Sequence, residues 1–400
     1  MEVCKSEKCT GCGACYSICR RHAISMVYDL LGCIRPSIDD NKCINCGMCE
    51  QICPSNNMPD VKNPIRYYAA QSVNDNLLVR SSSGGVFPVL ATWIIQIGGV
   101  VYGAAWNRNH DNNCLEGAKC RRISTVEEIK ELQNSKYLQI ELHNIYPELL
   151  RDLKQSKVVL FTGTPCQIAA VNKIVPDVLK EKLYTLDIVC HGVCGQKFFM
   201  DFYHRFSKNR KIVEFVFRSK ENGWGLAAHV DFEKNGVIQR KIYPCGVLSY
   251  YQIFLRGHMY RNPCYTCMYA RRERVSDISA GDYWGVQDEH PYLAKAIDIK
   301  KGCSFISLNS RKGEVLFEKI ADKMICYPTD YENISRHNDQ LVNPSKIGKY
   351  RNDYSKLYAN YGYDSVEKFF AKNERNKKAY RHFLIRYILN KVKKHTLGFR

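Results

Sequence analysis

Two stretches of this sequence share one spacing. Residues 9–19 read CTGCGACYSIC, and residues 43–54 read CINCGMCEQICP. Both follow C-x2-C-x2-C-x3-C, and the second closes on the Cys-Pro of a bacterial iron–sulfur run. No other feature limits the fold as strongly. Three thiols this close can wrap one corner of an iron–sulfur cube only where the backbone turns sharply, and Gly11, Gly13 and Gly47 stand at such turns. The fourth cysteine of each run crosses to the other cluster. The spacing therefore assigns Cys9, Cys12, Cys15 and Cys53 to one 4Fe–4S cluster, and Cys43, Cys46, Cys49 and Cys19 to a second. Zinc is the competing metal, but its sites use C-x2-C pairs separated by longer gaps. Arg20 follows Cys19 where proline would be expected, a positive charge that should raise the potential without disturbing ligation.

Residues 1–58 resemble the bacterial two-cluster ferredoxins, which implies a small α+β domain. Between the runs, AISMVYDLLGCIRPSID reads as a two-stranded ribbon, with Cys33 a small apolar residue in it. Residues 59–66 read as a linker. The chain of 400 residues holds 20 cysteines, ten of them within the first 53 positions. The opening MEVCKSEKC lacks the charged-then-apolar pattern of an export signal. Cysteine richness without such a signal points to metal ligation in a reducing cytoplasm rather than to disulfides.

Past the linker, strands and helices alternate. Lys157 to Phe161 (KVVLF) is a buried strand that ends on Thr162-Gly163-Thr164-Pro165-Cys166. Leu183 to Val189 is another, and it ends on Cys190-His191-Gly192. A C-x2-C pair, Cys264 and Cys267, follows later. Carboxyl ends of strands in open α/β sheets are where ligands gather. The expectation is that Cys166, Cys190, Cys264 and Cys267 hold a third 4Fe–4S cluster, with zinc at Cys264 and Cys267 as the alternative. The remaining lone cysteines, including Cys4, Cys114, Cys120, Cys245, Cys303 and Cys326, read as small buried hydrophobes, with Cys194 undecided.

Two further loops have chemical character. Arg80 to Val86 (RSSSGGV) precedes an apolar helix, and its backbone N–H groups suit a phosphate, although taken alone the loop is better explained as a simple helix cap. DISAGDYWG, Asp277 to Gly285, sets acidic and aromatic groups on a turn that could wall a flavin or plug a core. Ala227 to Tyr243 reads as a structural hairpin. Residues 84–106 carry no charge and are long enough to span a bilayer, but Pro88, Gln96 and the Gly98-Gly99 pair favour a buried helix followed by a strand. The formal net charge is +19, and residues 341–400 hold 15 Lys/Arg against 4 Asp/Glu. That basic end is read as a helical extension over 336–400, with Phe383, Leu384, Tyr387, Ile388 and Val392 on one side. It suits a packed face first, then an anionic membrane surface or an acidic redox partner. No nucleic-acid-reading motif accompanies the charge.

Taken in order, RSSSGG, LFTGTPCQ, DIVCHGV, PCYTC and DISAGDYWG resemble the coenzyme F420 hydrogenase/dehydrogenase beta-subunit family across about residues 67–310. The resemblance implies an α+β ferredoxin-like N-terminal domain followed by a mixed α/β flavin and iron–sulfur domain over 67–335. It implies FAD beside the third cluster, with Ser82, Ser83, Gly84, Gly85, Thr164, Asp282 and Trp284 as candidate flavin contacts. It further implies a two-electron organic acceptor, either coenzyme F420 or another small molecule, and a redox partner protein. His191 is a candidate proton donor beside Cys190. Cys194 departs from the family's usual loop. The rival expectation is an electron-relay subunit that feeds a partner enzyme and has no substrate site.

Overall fold

The computed structural model describes residues 2–109, 114–208 and 210–385. Its first strands, β1 (Ile24–Tyr28) and β2 (Ile34–Ile38), pair antiparallel as the expected ribbon, with Ile24 opposite Ile38. Short helices, Ala14–Ile18 and Met48–Gln51, start at Gly13 and Gly47, both in the left-handed region. Each lets the chain turn at its second cysteine.

An eight-stranded mixed sheet forms the body. Its strands are β3 (Arg66–Ser72), β4 (Val100–Arg108), β5 (Leu115–Ile123), β6 (Val159–Gly163) and β7 (Leu183–Ile188). The rest of that sheet follows a separate antiparallel three-stranded sheet of β8 (Lys211–Val216), β9 (Ala227–Lys234) and β10 (Val237–Pro244). β11 (Ile278–Asp282), β12 (Ser304–Leu308) and β13 (Met324–Thr329) complete the large sheet in the order β13-β3-β12-β11-β7-β6-β4-β5. The central four, β11, β7, β6 and β4, run parallel, and the flanking strands are antiparallel. Val159, Leu160 and Phe161 are all buried because helices cover both faces. Val159 and Phe161 face one core with Ile168, Leu149 and Phe198, while Leu160 faces the other with Leu90, Leu316 and Phe317.

The uncharged stretch 84–106 resolves into helix Val86–Gln96, a glycine turn and β4, which runs on to Arg108. A side chain at Gly99 would meet the carbonyls of Ile94 and Val158 at 2.7 Å, so the turn needs glycine. Among the described residues no helix is long and apolar enough to cross a membrane. The expected hairpin is present as β9 and β10.

The N-terminal segment is seated on this body by one side. Gln139 bonds both backbone groups of Ile34, and the Tyr146 hydroxyl donates to the Cys12 carbonyl at 2.6 Å. Ala14 lies inside the main core. The connecting segment is also fastened: Lys62 pairs with Arg274 through two backbone bonds, and its Nζ reaches Asp277 at 2.8 Å. At the other end of the chain, helix Arg351–Asn373 breaks at Gly362 and buries Tyr354, Tyr358, Tyr363, Val366 and Phe370 in the main core. Phe383 packs on Tyr243 and Leu384 is partly exposed. The expected partners Tyr387, Ile388 and Val392 lie outside the described residues.

A thiol-lined candidate redox site

β6, β7 and β11 lie side by side and parallel, so their carboxyl ends open on one edge of the sheet. Leaving β6, Thr164 caps helix Pro165–Ile174: its N–H donates to Gln167 Oε1 at 2.9 Å, and its hydroxyl lies 3.2 Å from Cys166 Sγ. Leaving β7, the chain delivers Cys190 and His191, then passes Gly192 at φ +132, where a Cβ would strike the Tyr260 ring at 2.6 Å. A single turn, Asn262–Thr266, presents Cys264 and Cys267. All four thiols line one cavity of about 230 Å³, together with Thr164 and His191. Lys8, Thr10 and Ser55 of the N-terminal segment line it as well.

Burial keeps these thiols protonated: Cys166 and Cys264 are pushed up to about 12, Cys267 is raised, and Cys190 is raised further. Metal binding would have to displace those protons. Among the described residues no three sulfurs lie within 4.8 Å of one another. The trio that does come so close is Glu214, His229 and Asp231, but Arg240 already pairs with both of its carboxylates.

His191 touches solvent through the cavity, while surrounding protein lowers its pKa and keeps the imidazole neutral. Its carbonyl accepts from the Ser345 hydroxyl.

The candidate flavin residues come together except for Thr164, which stays with the thiols. Arg218 is the link, and sequence reasoning missed it. Its guanidinium grips both Asp282 oxygens at 2.6 and 3.0 Å, bonds the Ser82 carbonyl at 3.2 Å, and lies over the Trp284 ring. Trp284 stacks on Trp224 at 4.6 Å. The serine side chains are engaged within the protein: Ser82 Oγ accepts from the Ser135 N–H, and Ser83 Oγ donates to the Cys303 carbonyl. A side chain at Gly84 would meet the Ala70 carbonyl at 2.2 Å, and Gly85 starts the next helix in the left-handed region. Lys220 donates to the carbonyls of Leu78 and Ser83. Burial and then the Arg218 charge lower its pKa to about 7, and burial does the same to Lys136. No motif marks Lys220; only its position two residues past Arg218 on the segment leaving β8 could have suggested it.

The two N-terminal quartets differ in setting. Cys9, Cys15 and Cys53 are buried and Cys12 is half-buried against the main core. In the other group Cys46 is exposed, Cys43 and Cys19 are half-buried, and only Cys49 is buried. Cys4, expected as a small hydrophobe, instead shares a recess with Cys9, Cys12, Cys15 and Cys53. The neighbouring Cys4 thiol lowers the pKa of Cys9 and of Cys53. Cys114 is exposed, contrary to expectation, because it follows β4 in the connection to β5. Cys194 is fully buried and does not line the thiol cavity.

Two family models match. One describes the C terminus of the beta subunit of coenzyme F420 hydrogenase/dehydrogenase and spans residues 156–333; the other describes the 4Fe-4S dicluster domain and spans residues 8–57. No curated protein matches the chain. Among solved structures, a polypeptide of the xenon-derivatised F420-reducing nickel–iron hydrogenase complex from Methanosarcina barkeri is similar. It is 16% identical, with 77% of this chain and 91% of that one covered at a TM-score of 0.44.

Proposed function

Because residues 156–333 match the C terminus of the beta subunit of coenzyme F420 hydrogenase/dehydrogenase and residues 8–57 match a 4Fe-4S dicluster domain, we propose that the chain is an iron–sulfur flavoprotein with three clusters and one FAD. By those matches it is an oxidoreductase of the iron–sulfur electron-transfer type. We read residues 1–58 as ferredoxin-like and 67–335 as the catalytic body. Cys9, Cys12, Cys15 and Cys53 hold the inner cluster of the first part, Cys43, Cys46, Cys49 and Cys19 the outer one, and Cys166, Cys190, Cys264 and Cys267 the third. Such clusters supply one-electron steps, and a flavin exchanges single electrons for the pairs an organic acceptor such as coenzyme F420 requires.

One observation carries this reading. Thiols from three separate loops meet in one cavity whose wall includes residues of the dicluster segment. The chain's own groups then have distinct roles. The outer quartet, with Cys46 exposed, faces a redox partner protein. The inner quartet is turned toward the body. Lys220 stands beside the Ser82–Gly85 loop and can take up a proton as an anion approaches, which suits a dinucleotide's phosphates. Neutral His191 accepts or returns a proton at the cavity mouth.

Iron, acid-labile sulfide and flavin per chain, measured on protein purified without oxygen, test this. About twelve irons and one FAD are expected, and Cys166→Ser should leave about eight irons. Unchanged iron in that variant would refute the third cluster. FAD binding should also take up protons near pH 8. Lys220 and Lys136, at about 7 when unliganded, are mostly neutral there, and an adjacent phosphate raises their pKa. Calorimetry in two buffers of different ionisation enthalpy reads the uptake.

A second reading, an electron relay without a substrate site, draws on the same loop. The Ser82 and Ser83 hydroxyls already have protein partners, and Trp224 closes over Trp284. Substrate-dependent reoxidation of bound flavin by the isolated chain excludes it.

A further inference from the structure

Three arginines are buried around the thiol cavity and its flank. Arg218 pairs with Asp282, and Arg274 pairs with Asp187 at 2.8 Å. Arg261 is 3% exposed, lines the cavity, and has no carboxylate within ion-pair range among the described residues. The nearest acid that bears on it, Asp29, is paired with Arg35. Isolating a cation in this way is costly unless a counter-charge is supplied.

The position of Arg261 shows where that counter-charge lies. Its Nη2 donates to the Cys9 carbonyl at 2.7 Å, and its Nη1 to the Ile34 carbonyl at 2.8 Å. Its own carbonyl accepts from the Cys264 N–H at 3.0 Å. Its Nε is buried without a partner. Arg261 thus bridges the two: its guanidinium reaches the loop that carries Cys9, its backbone carbonyl holds the turn that carries Cys264, and it lines the same cavity as that cysteine. Gly11 makes the approach possible: at φ +68, a Cβ there would stand 3.1 Å from Arg261 Nη1 and 2.5 Å from the Ile34 carbonyl.

We infer that Arg261 is the shared counter-charge of the inner N-terminal quartet and the Cys166–Cys267 quartet, and that it raises the reduction potential of both. The inference rests on the three-cluster reading above. Thiolate-ligated clusters are anionic and gain negative charge on reduction, so a fixed cation between two of them favours the reduced form of each. The outer quartet is more exposed, with Cys46 at the surface, and water and salt screen it from that charge. Arg261 is a positioning residue: it acts on the clusters' energies and need not touch the substrate.

The test is a potentiometric titration of the anaerobic holoprotein followed by electron paramagnetic resonance, with iron counted first. Arg261→Gln should keep the iron and lower two of three midpoint potentials by at least tenfold in the reduction equilibrium, about 59 mV for one electron. Arg261→Lys should restore most of that shift. A glutamine variant with full iron and unmoved potentials overturns the inference, and so does a lysine variant that falls as far as glutamine. Should glutamine fail to retain iron, Arg261→His decides. Its two inner potentials should rise as pH falls through the imidazole range, about pH 8 to 5, and pH-independent values overturn the role. About eight irons in the unaltered chain refutes the three-cluster reading itself, and the shared role with it.

Discussion

The two cysteine runs have one spacing and opposite surroundings. Gly13 and Gly47 occupy the same place in each run, and both sit in the left-handed region, at φ +77 and +72. A Cβ at Gly13 would meet His143 at 2.6 Å, whereas one at Gly47 would meet nothing within 4 Å. The repeat therefore specifies ligation alike in both runs, and the body of the protein makes one of them an interior and leaves the other a surface. Identical local chemistry divides into an inward and an outward end only because Ile34, Cys12 and Ala14 are held by Gln139, Tyr146 and the main core.

That contrast can be attacked by substitution. The largest difference is expected between Gly13→Ala and Gly47→Ala. Each incurs the backbone cost of a side chain in the left-handed region, about 1–2 kcal/mol. Only Gly13→Ala adds overpacking against His143, about 1–3 kcal/mol more. Thermal unfolding of the two holoproteins reads this, and equal losses would deny the inward seating. Tyr146→Phe comes next. It removes only the bond to the Cys12 carbonyl and should cost about 1 kcal/mol in the same assay. Smallest is Lys42→Ala on the outward side, which removes an exposed ion pair to Asp39 and should leave the midpoint unchanged. A clear loss there would mean that the outward end is packed against something in solution.

The site was legible in the sequence to different depths for physical reasons. The N-terminal ligands fall within a few residues of one another, so spacing alone identifies their chemistry. Cys166 and Cys190 were legible one step less directly, through the rule that strand ends in parallel sheets face one edge, and β6 beside β7 supplies that edge. Arg218 and Arg261 were not legible. Their partners Asp282 and Cys9 lie 64 and 252 residues away, and only the strand order and the seating of the N-terminal segment bring them together. That order interleaves the chain: β3, formed early, lies between β12 and β13. The basic C-terminal stretch was legible in outline, since a packed face was its first expectation, and Tyr354 and Tyr358 on one side of Gly362 and Tyr363, Val366 and Phe370 on the other fill the main core. The left-handed glycine resets the helical phase, so no single stripe was visible.

The span from Cys9 to Arg261 also sets a clock. At synthesis rates of about 5–20 residues per second, roughly 13–50 s pass between the two leaving the ribosome. During that interval the inner cysteines lack the walls that later bury them. Cys9 and Cys12 are therefore reachable from solvent on the nascent chain, and that access closes when the segment carrying Arg261 folds down.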